Sequence, residues 1–550
     1  MPSRFSATRI VAPFPLIAVL LAANARGQET PFELNTSTVQ LREFAITERR
    51  APDAPEEVWD WRSGTVDDIE FISSASEERT EKLVTHLGEF ANLLHWLIPQ
   101  WPRPADPPLR LIICGSRGTF AELRPVTTDD ARPDTLSAYY HGYRHSYAVI
   151  DDNDGLQVWD WQPVTFTATQ ISDRPFTNRG TGPFLRFAPT TDFGQMGFGT
   201  NTTELLEREY VRHLLLSQGW SSPAWFTEGM ARLVATAKVD GDRVRIGRLD
   251  TVQMGEFGQT ASELSLRFHR QAMKPLMELF TVNYDSPDYL NARGSKFSDQ
   301  SLAFVHYSLY GAKGRYQAAL LNWLGRLQID APSEAAFREC FGTSTSSFGA
   351  QLRGYFDGGL YRSPVTSADD LPTAPELVIG PADPAQVAVF KAETQALAGR
   401  AVEASALLES SLANGFANFA LHVARAELAL AARDYETAAA ALATASSLDE
   451  PLSDEYRAAR LELEVRSEPA LDSATAKRLL IDALQLQQQL PGQNLRFTTL
   501  LAEIFLRSPL KPDEAFVNLL ETRAANLPPN AELTAVIQQV RAKAGGSFSP

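Results

Sequence analysis

The chain has 550 residues, 44% of them apolar and 21% charged, with 34 prolines and 33 glycines. These values exclude a fibre or a disordered tail and predict a globular protein of about two to four domains. Fifty-one Lys and Arg against 67 Asp and Glu leave a net charge of -16, so no nucleic-acid partner is expected, because so acidic a chain repels a polyanion. Two cysteines, Cys114 and Cys340, exclude a disulfide framework. A single long-range bridge stays open, but the apolar run Leu111-Ile112-Ile113 before Cys114 favours a buried free thiol.

Arg4 and Arg9 precede the apolar stretch Ile10 to Ala23, and small residues follow at Ala23-Asn24-Ala25. This layout predicts a secretory signal peptide over 1–25 and an exported protein, periplasmic or extracellular. The stretch is short for a bilayer and carries Pro13 and Pro15, so no membrane span is expected after cleavage. From Ser76 to Ile98, Leu83, Val84, Leu87, Phe90, Leu94 and Leu97 recur at helical spacing until Pro99 stops the helix. Leu109 to Cys114 and Tyr143 to Ile150 read as strands. Residues 156–200 show little periodicity and are expected to be irregular or β. A helix then runs from Asn201 to Gln218, with Glu204 completing a capping box and Gly219 as its stop.

Between 361 and 385 the prolines 364, 372, 375, 381 and 384 forbid helix and disfavour a central strand. This segment is expected to be a linker with little apolar surface, so that the halves on either side separate. Beyond it, over 386–545, Ala396-Leu397-Ala398-Gly399-Arg400-Ala401 with Ala404 and Leu408 recurs 34 residues later as Leu430-Ala431-Ala432-Arg433-Asp434-Tyr435 with Ala438 and Leu442. That is the period of tetratricopeptide helix pairs. Looser pairs are expected at 458–465 with 474–490 and at 500–506 with 513–525, closed by a capping helix over 531–542. A generic helical array is the alternative.

Within the helix after Asn201 stands Leu206-Glu207-Arg208-Glu209-Tyr210-Val211-Arg212-His213-Leu214-Leu215, followed by Trp225-Phe226-Thr227-Glu228-Gly229-Met230-Ala231. This resembles the peptidase-MA-like gluzincins, exported bacterial zincins often followed by tetratricopeptide repeats. Their helix reads His-Glu-Tyr-x-His-His-Leu-Leu, and a later Trp-x-x-Glu-Gly-x-Ala supplies the third zinc ligand. The resemblance extends through Gln300 to Tyr307 and Glu334 to Gly342, covering roughly 65–357. It implies an α+β zincin-like domain over 58–360, in a mixed α/β part (58–200) and a helical part (201–360), followed by an all-α tetratricopeptide-like solenoid.

The departure from that family decides the expected function. Zinc needs two imidazoles one helical turn apart and a glutamate between them to polarise its water. Here the ligand positions are Arg208 and Arg212, with Glu209 at the base position and Glu228 at the third-ligand position. A guanidinium has no lone pair to donate. At ligand distance each arginine would oppose Zn²⁺ by about 8 kcal/mol at an effective dielectric near 20. No metal and no cofactor are therefore expected. His213 does not restore the motif and is expected to pack or hydrogen-bond. The stretch holding His141 and His145 reads as strand, where four residues span about 13 Å and cannot share a metal, with strand-end or loop histidines as the plain reading, and His269 and His306 read as structural.

The leading expectation is an exported pseudo-metallopeptidase in which paired guanidiniums replace the ion, joined to repeats that bind a protein or peptide. In a second reading, Arg208 and Arg212 clasp a carboxylate or phosphate. In a third, a residual hydrolase survives, either with a metal recruited through unexpected ligands or with Glu209 and Glu228 as an acid and base pair. The bland alternative for all four side chains is exposure to solvent.

Overall fold

The computed structural model describes residues 60–545 apart from 99–107, 126–136, 143, 153–201, 218–221, 241–242, 248, 250, 255–258, 263–272, 285, 287–288, 290–295, 328–330, 358–364, 368–376, 416–417, 449–451, 491–492 and 526–530. The expectations for the signal peptide, for 156–200, and for Asn201, Gly219 and His269 fall outside these residues. What is described is a mixed α+β region followed by a stack of consecutive, contacting helices.

The first region opens with the hairpin β1 (Arg62–Val66) and β2 (Ile69–Ser73), turned at Asp67, whose φ of 56 lies in the left-handed region that aspartate tolerates. Helix α1 (Glu77–Leu97) follows, with the Ser76 hydroxyl accepting from the Arg79 amide, and leads into β3 (Leu109–Cys114) and α2 (Arg117–Leu123). Strands β4 (Ser137–Tyr140) and β5 (Ser146–Asp151) come next. His141 and His145 lie between these two strands, the strand-end or loop position, rather than within the strand read over 143–150. Strands β2, β3 and β5 are parallel neighbours, and β4 pairs antiparallel with β5.

Parallel strands of this kind are buried on both faces, which is why Leu111-Ile112-Ile113 is continuously apolar. Phe71, Leu111, Ile113, Ala148 and Ile150 point to one face, where α1 and α3 (Thr202–Leu216) pack. Ile72, Ile112, Cys114 and Val149 point to the other. Cys114 is buried and Cys340 half-buried, and both are free thiols.

Helix α4 (Ala224–Val234) lies against α3, and the hairpins β6 (Lys238–Asp240) with β7 (Arg243–Arg245) and β8 (Thr251–Met254) with β9 (Gln259–Ser262) follow. Helices α5 (Leu276–Phe280), α6 (Lys296–Tyr310), α7 (Gln317–Leu327), α8 (Glu334–Phe341) and α9 (Thr345–Asp357) complete the region. Their core is aromatic: Trp225 lies 5.2 Å from Phe280 and 5.1 Å from Phe304, and Phe337 stacks on Phe341 at 4.3 Å. His306 is buried in this core, bonded from Nε2 to the Gly247 carbonyl at 2.8 Å, which suits a structural role.

The proline-rich segment departs from the expected free tether. Its strand β10 (Val365–Ser367) pairs with β7, and β11 (Leu377–Pro381) adds an edge strand to β1. An edge position tolerates the terminal Pro381, because no further strand needs its missing N–H. Pro384 then opens α10 (Pro384–Leu397) at the first helical turn, capped by Asp383.

Helix α10 begins the array, followed by α11 (Ala401–Ala413), α12 (Phe419–Ala431), α13 (Tyr435–Ser447), α14 (Asp454–Ser467), α15 (Ser473–Gln489), α16 (Asn494–Arg507), α17 (Glu514–Ala525) and α18 (Ala531–Lys543). The 34-residue repeat is structural in the first two pairs. Gly399 and Arg433 are both left-handed, and the amides of Arg400 and Asp434 reach back to the carbonyls of Gln395 and Ala429, both at 2.8 Å. This C-terminal motif favours glycine, so Arg433 carries a local backbone cost that Gly399 does not. Ala404 and Ala438 are fully buried, as close approach of paired helices requires.

The halves are joined more tightly than a tether allows. Val387, Phe390 and Ala398 of the array pack with Ile112, Val149, Phe120 and Leu123, so α10 and α2 together cover the second face of the sheet. Phe390 meets Tyr147 edge-on at 5.9 Å and lies 4.7 Å beneath the Arg110 guanidinium, and Lys391 pairs with Glu122 at 2.8 Å. A chain ending at Pro381 is therefore expected to aggregate or melt well below the full-length protein, since each uncovered large apolar side chain forfeits about 1.5–3 kcal/mol. Scanning calorimetry checks this; a truncated chain that keeps the first full-length transition would show α10 to be dispensable to the sheet.

Candidate functional site

Helix α3 carries Glu207, Arg208, Glu209, Arg212 and His213, all buried, although such residues are almost never buried unless paired. The reason is its position: α1, the β4 and β5 edge of the sheet and α4 surround it. Glu207 turns to α1, where His86 Nε2 meets its carboxylate at 2.7 Å. Arg208, Glu209 and Arg212 turn toward α4, one turn placing both arginines on the same side.

Glu228 comes from α4, which starts after Pro223 and is pressed against α6. A Cβ on Gly229 would fall 2.5 Å from the Ser301 carbonyl oxygen, so a residue without a side chain is required there. That close approach brings Ser298 of α6 to Glu228.

Arg212 is the centre of the cluster. Its Nη1 donates to Glu209 Oε2 and its Nη2 to Glu228 Oε2, both at 2.5 Å, and its guanidinium lies 5.4 Å over the Tyr289 ring. Ser137 of β4 donates to Glu209 Oε1 at 2.7 Å, and Ser298 donates to Glu228 Oε1 at 2.5 Å. Every carboxylate oxygen of the pair thus has a donor. Arg208 stands back at 3.6 Å from Glu209 and 3.7 Å from Glu228, an ion pair without a direct hydrogen bond. Behind Ser298, Arg232 of α4 reaches Asp299 at 2.7 Å.

Burial alone would raise the Glu228 carboxyl; Arg208, Arg212 and the Ser298 hydroxyl outweigh it and hold it down at about 2. Burial alone would lower Arg212, and the facing carboxylates instead push it well above the usual guanidinium range. His213 accepts or donates at Nδ1 to the Tyr139 hydroxyl at 3.2 Å, and burial drives it down to about 3, so it is neutral at physiological pH.

The four residues singled out by the motif, Arg208, Glu209, Arg212 and Glu228, are therefore brought together and buried, which removes the alternative of solvent exposure. Sequence reasoning missed Ser137, Ser298 and Tyr289. No spacing signal connects them to the motif, since they arrive from another strand and from beyond α4.

These residues do not fit a divalent ion. The two carboxylates face guanidiniums and hydroxyls, the arginines offer no lone pair, and among the described residues no group of three His, Cys, Asp or Glu is placed to hold a metal. Glu209 is fully buried, and its two oxygens accept from Ser137 and Arg212. What the arrangement does chemically is tie β4, α3, α4 and α6 together through charge-assisted bonds.

No helix among the described residues is long and apolar enough to cross a membrane. No protein-family model matches the chain, and no curated protein shows significant similarity to it.

Proposed function

We propose that the protein is an exported pseudo-metallopeptidase of the gluzincin type, in which Arg208-Glu209-x-x-Arg212 stands in place of His-Glu-x-x-His, and that it acts as a scaffold binding a protein or peptide through its helical array. The observation that supports this reading is the bridge from Arg212 to both Glu209 and Glu228, a fixed guanidinium between the two carboxylates that the resemblance would set beside zinc in a gluzincin. Two positive and two negative groups leave the site nearly neutral, so the cluster can hold the helices without an ion. The same neutrality disfavours an anion-binding role for Arg208 and Arg212.

Elemental analysis of the mature protein after dialysis against micromolar zinc tests the proposal. Substoichiometric zinc is expected; about one tightly held zinc per chain would overturn the pseudoenzyme reading and restore the hydrolase.

A further inference from the structure

Glu393, Glu427 and Glu462 follow one another at intervals of 34 and 35 residues, and Arg496 comes 34 residues later. They occupy equivalent places on α10, α12, α14 and α16, the first helices of successive pairs. Glu393, Glu427 and Glu462, joined by Glu503 of α16, line a cleft of about 850 Å³ together with His141, Gly142, Arg144, His145 and Tyr147 of the first region and with Arg433, Arg466 and Arg507 of the array. The array thus presents a row of carboxylates to the first region of the chain.

The cations that answer this row come from two sources. Glu462 is met by Arg496 at 2.9 Å and Arg466 at 2.6 Å, and Glu503 by Arg466 at 3.0 Å, all within the array. Glu393 and Glu427 are answered mainly from outside it. Arg110 stands 3.3 Å from Glu393, and the Tyr147 hydroxyl donates to the same carboxylate. Arg144, on the turn between β4 and β5, places Nη1 2.6 Å from Glu427 Oε2 and donates from Nη2 to the Glu427 main-chain oxygen at 3.2 Å, while Arg496 lies 3.5 Å away on the other side.

We infer that this row is a guanidinium-reading surface, that Arg144 occupies its Glu427 position in cis, and that a peptide bearing an exposed arginine takes that position in trans. The inference deepens the proposed scaffold function and rests on it. Arginine is favoured over lysine because the contact uses two separate nitrogens in one fixed plane, one on the carboxylate and one on the carbonyl of the same residue, whereas an ammonium must reach both acceptors from a single atom. A peptide fits because the cleft beside Arg144 is roomy and carries Leu397, Leu428, Leu506 and Val536 for flanking residues. Arg144 is tethered, so it competes at an effective concentration in roughly the millimolar range, and the wild-type protein reads arginine weakly until the turn is displaced.

The test uses the full mature chain, its Arg144→Ala variant, and a fluorescent acetylated Ala-Ala-Arg-Ala-Ala peptide beside its citrulline twin, which keeps the shape and loses the charge. Fluorescence anisotropy is expected to show the arginine peptide binding Arg144→Ala at least tenfold more tightly than wild type, with the citrulline peptide left behind. Adding Glu427→Gln to that variant should abolish the gain. Equal affinity for wild type and Arg144→Ala, or equal binding of the two peptides, would overturn the inference. If Arg144→Ala does not fold, Arg144→Lys carries the comparison: it retains the charge, loses the fork, and should bind the peptide more tightly than wild type, and parity would again overturn the idea. A zinc-free chain with parity in these titrations sinks the arginine row and leaves the scaffold reading standing; a zinc-loaded chain sinks the scaffold reading whatever the titrations show.

Discussion

Replacing Arg212 by methionine is expected to destabilise the first region by about 3–5 kcal/mol, the usual cost of leaving buried charges without their partner. The physical reason is the sharing of one guanidinium by two carboxylates, neither exposed to water. Arg208, at 3.6 and 3.7 Å, cannot replace those two bonds without moving. A domain of this size loses roughly 2–4 °C per kcal/mol, so the melting temperature should fall by about 10 °C. Changing Arg208 and Arg212 to methionine together with Glu209 and Glu228 to leucine should cost less than Arg212→Met alone, because no charge is then stranded, although Ser137 and Ser298 lose their acceptors. Urea melts of the two variants decide this; a quadruple variant less stable than the single one would mean that the ion cluster contributes net stability.

The same cluster predicts an acid limb. Glu228 is held at about 2, below its unfolded value, so the folded state binds fewer protons. Its contribution, roughly 3 kcal/mol, is fully present above about pH 5 and is lost as pH falls toward the folded value. In Arg212→Met the folded value rises toward the unfolded one, so this limb should shrink and end at higher pH, as a titration of stability against pH would show.

The second large effect is a gain. Arg208→His with Arg212→His places two imidazoles one turn apart on α3, facing Glu228 on α4, with Glu209 between them. Without metal this variant should be less stable than wild type, because both glutamates lose their counter-charge. Zinc at roughly 100-fold over its dissociation constant then restores about 2.7 kcal/mol. Thermal melts with and without zinc measure it. A melting temperature that ignores zinc would show that α3 does not share the register of the gluzincin zinc helix.

Local signals were legible wherever one helix or strand decides its own fate. The heptad-like spacing from Leu83 to Leu97 yields α1, the run Leu109 to Cys114 yields β3, and the 34-residue repeat appears as matching left-handed turns at Gly399 and Arg433. The motif residues Arg208, Glu209, Arg212 and Glu228 could be grouped because a helical turn fixes the first three and a short connection limits the fourth. Ser137, Ser298 and Tyr289 could not, since hydroxyl and ring partners are chosen by which distant segments happen to converge.

The proline-rich stretch shows the boundary most clearly. Among its described residues before Pro384 there is strand and no helix, but proline content says nothing about whether an extended segment finds a sheet edge, and here β11 finds β1. Nor could composition reveal that α10, by its period a member of the array, would supply Val387 and Phe390 to the sheet. By itself the sequence determined elements such as α1, β3 and the helices of the array, the 34-residue repeat and the placing of Arg208, Glu209 and Arg212 on one helical turn, because these depend on neighbours within a few residues. Tertiary structure alone decided the pairing of Arg212 with both glutamates, the covering of the sheet by the array and the approach of Arg144 to Glu427, because each depends on surfaces far apart in the chain whose burial is settled only when they meet.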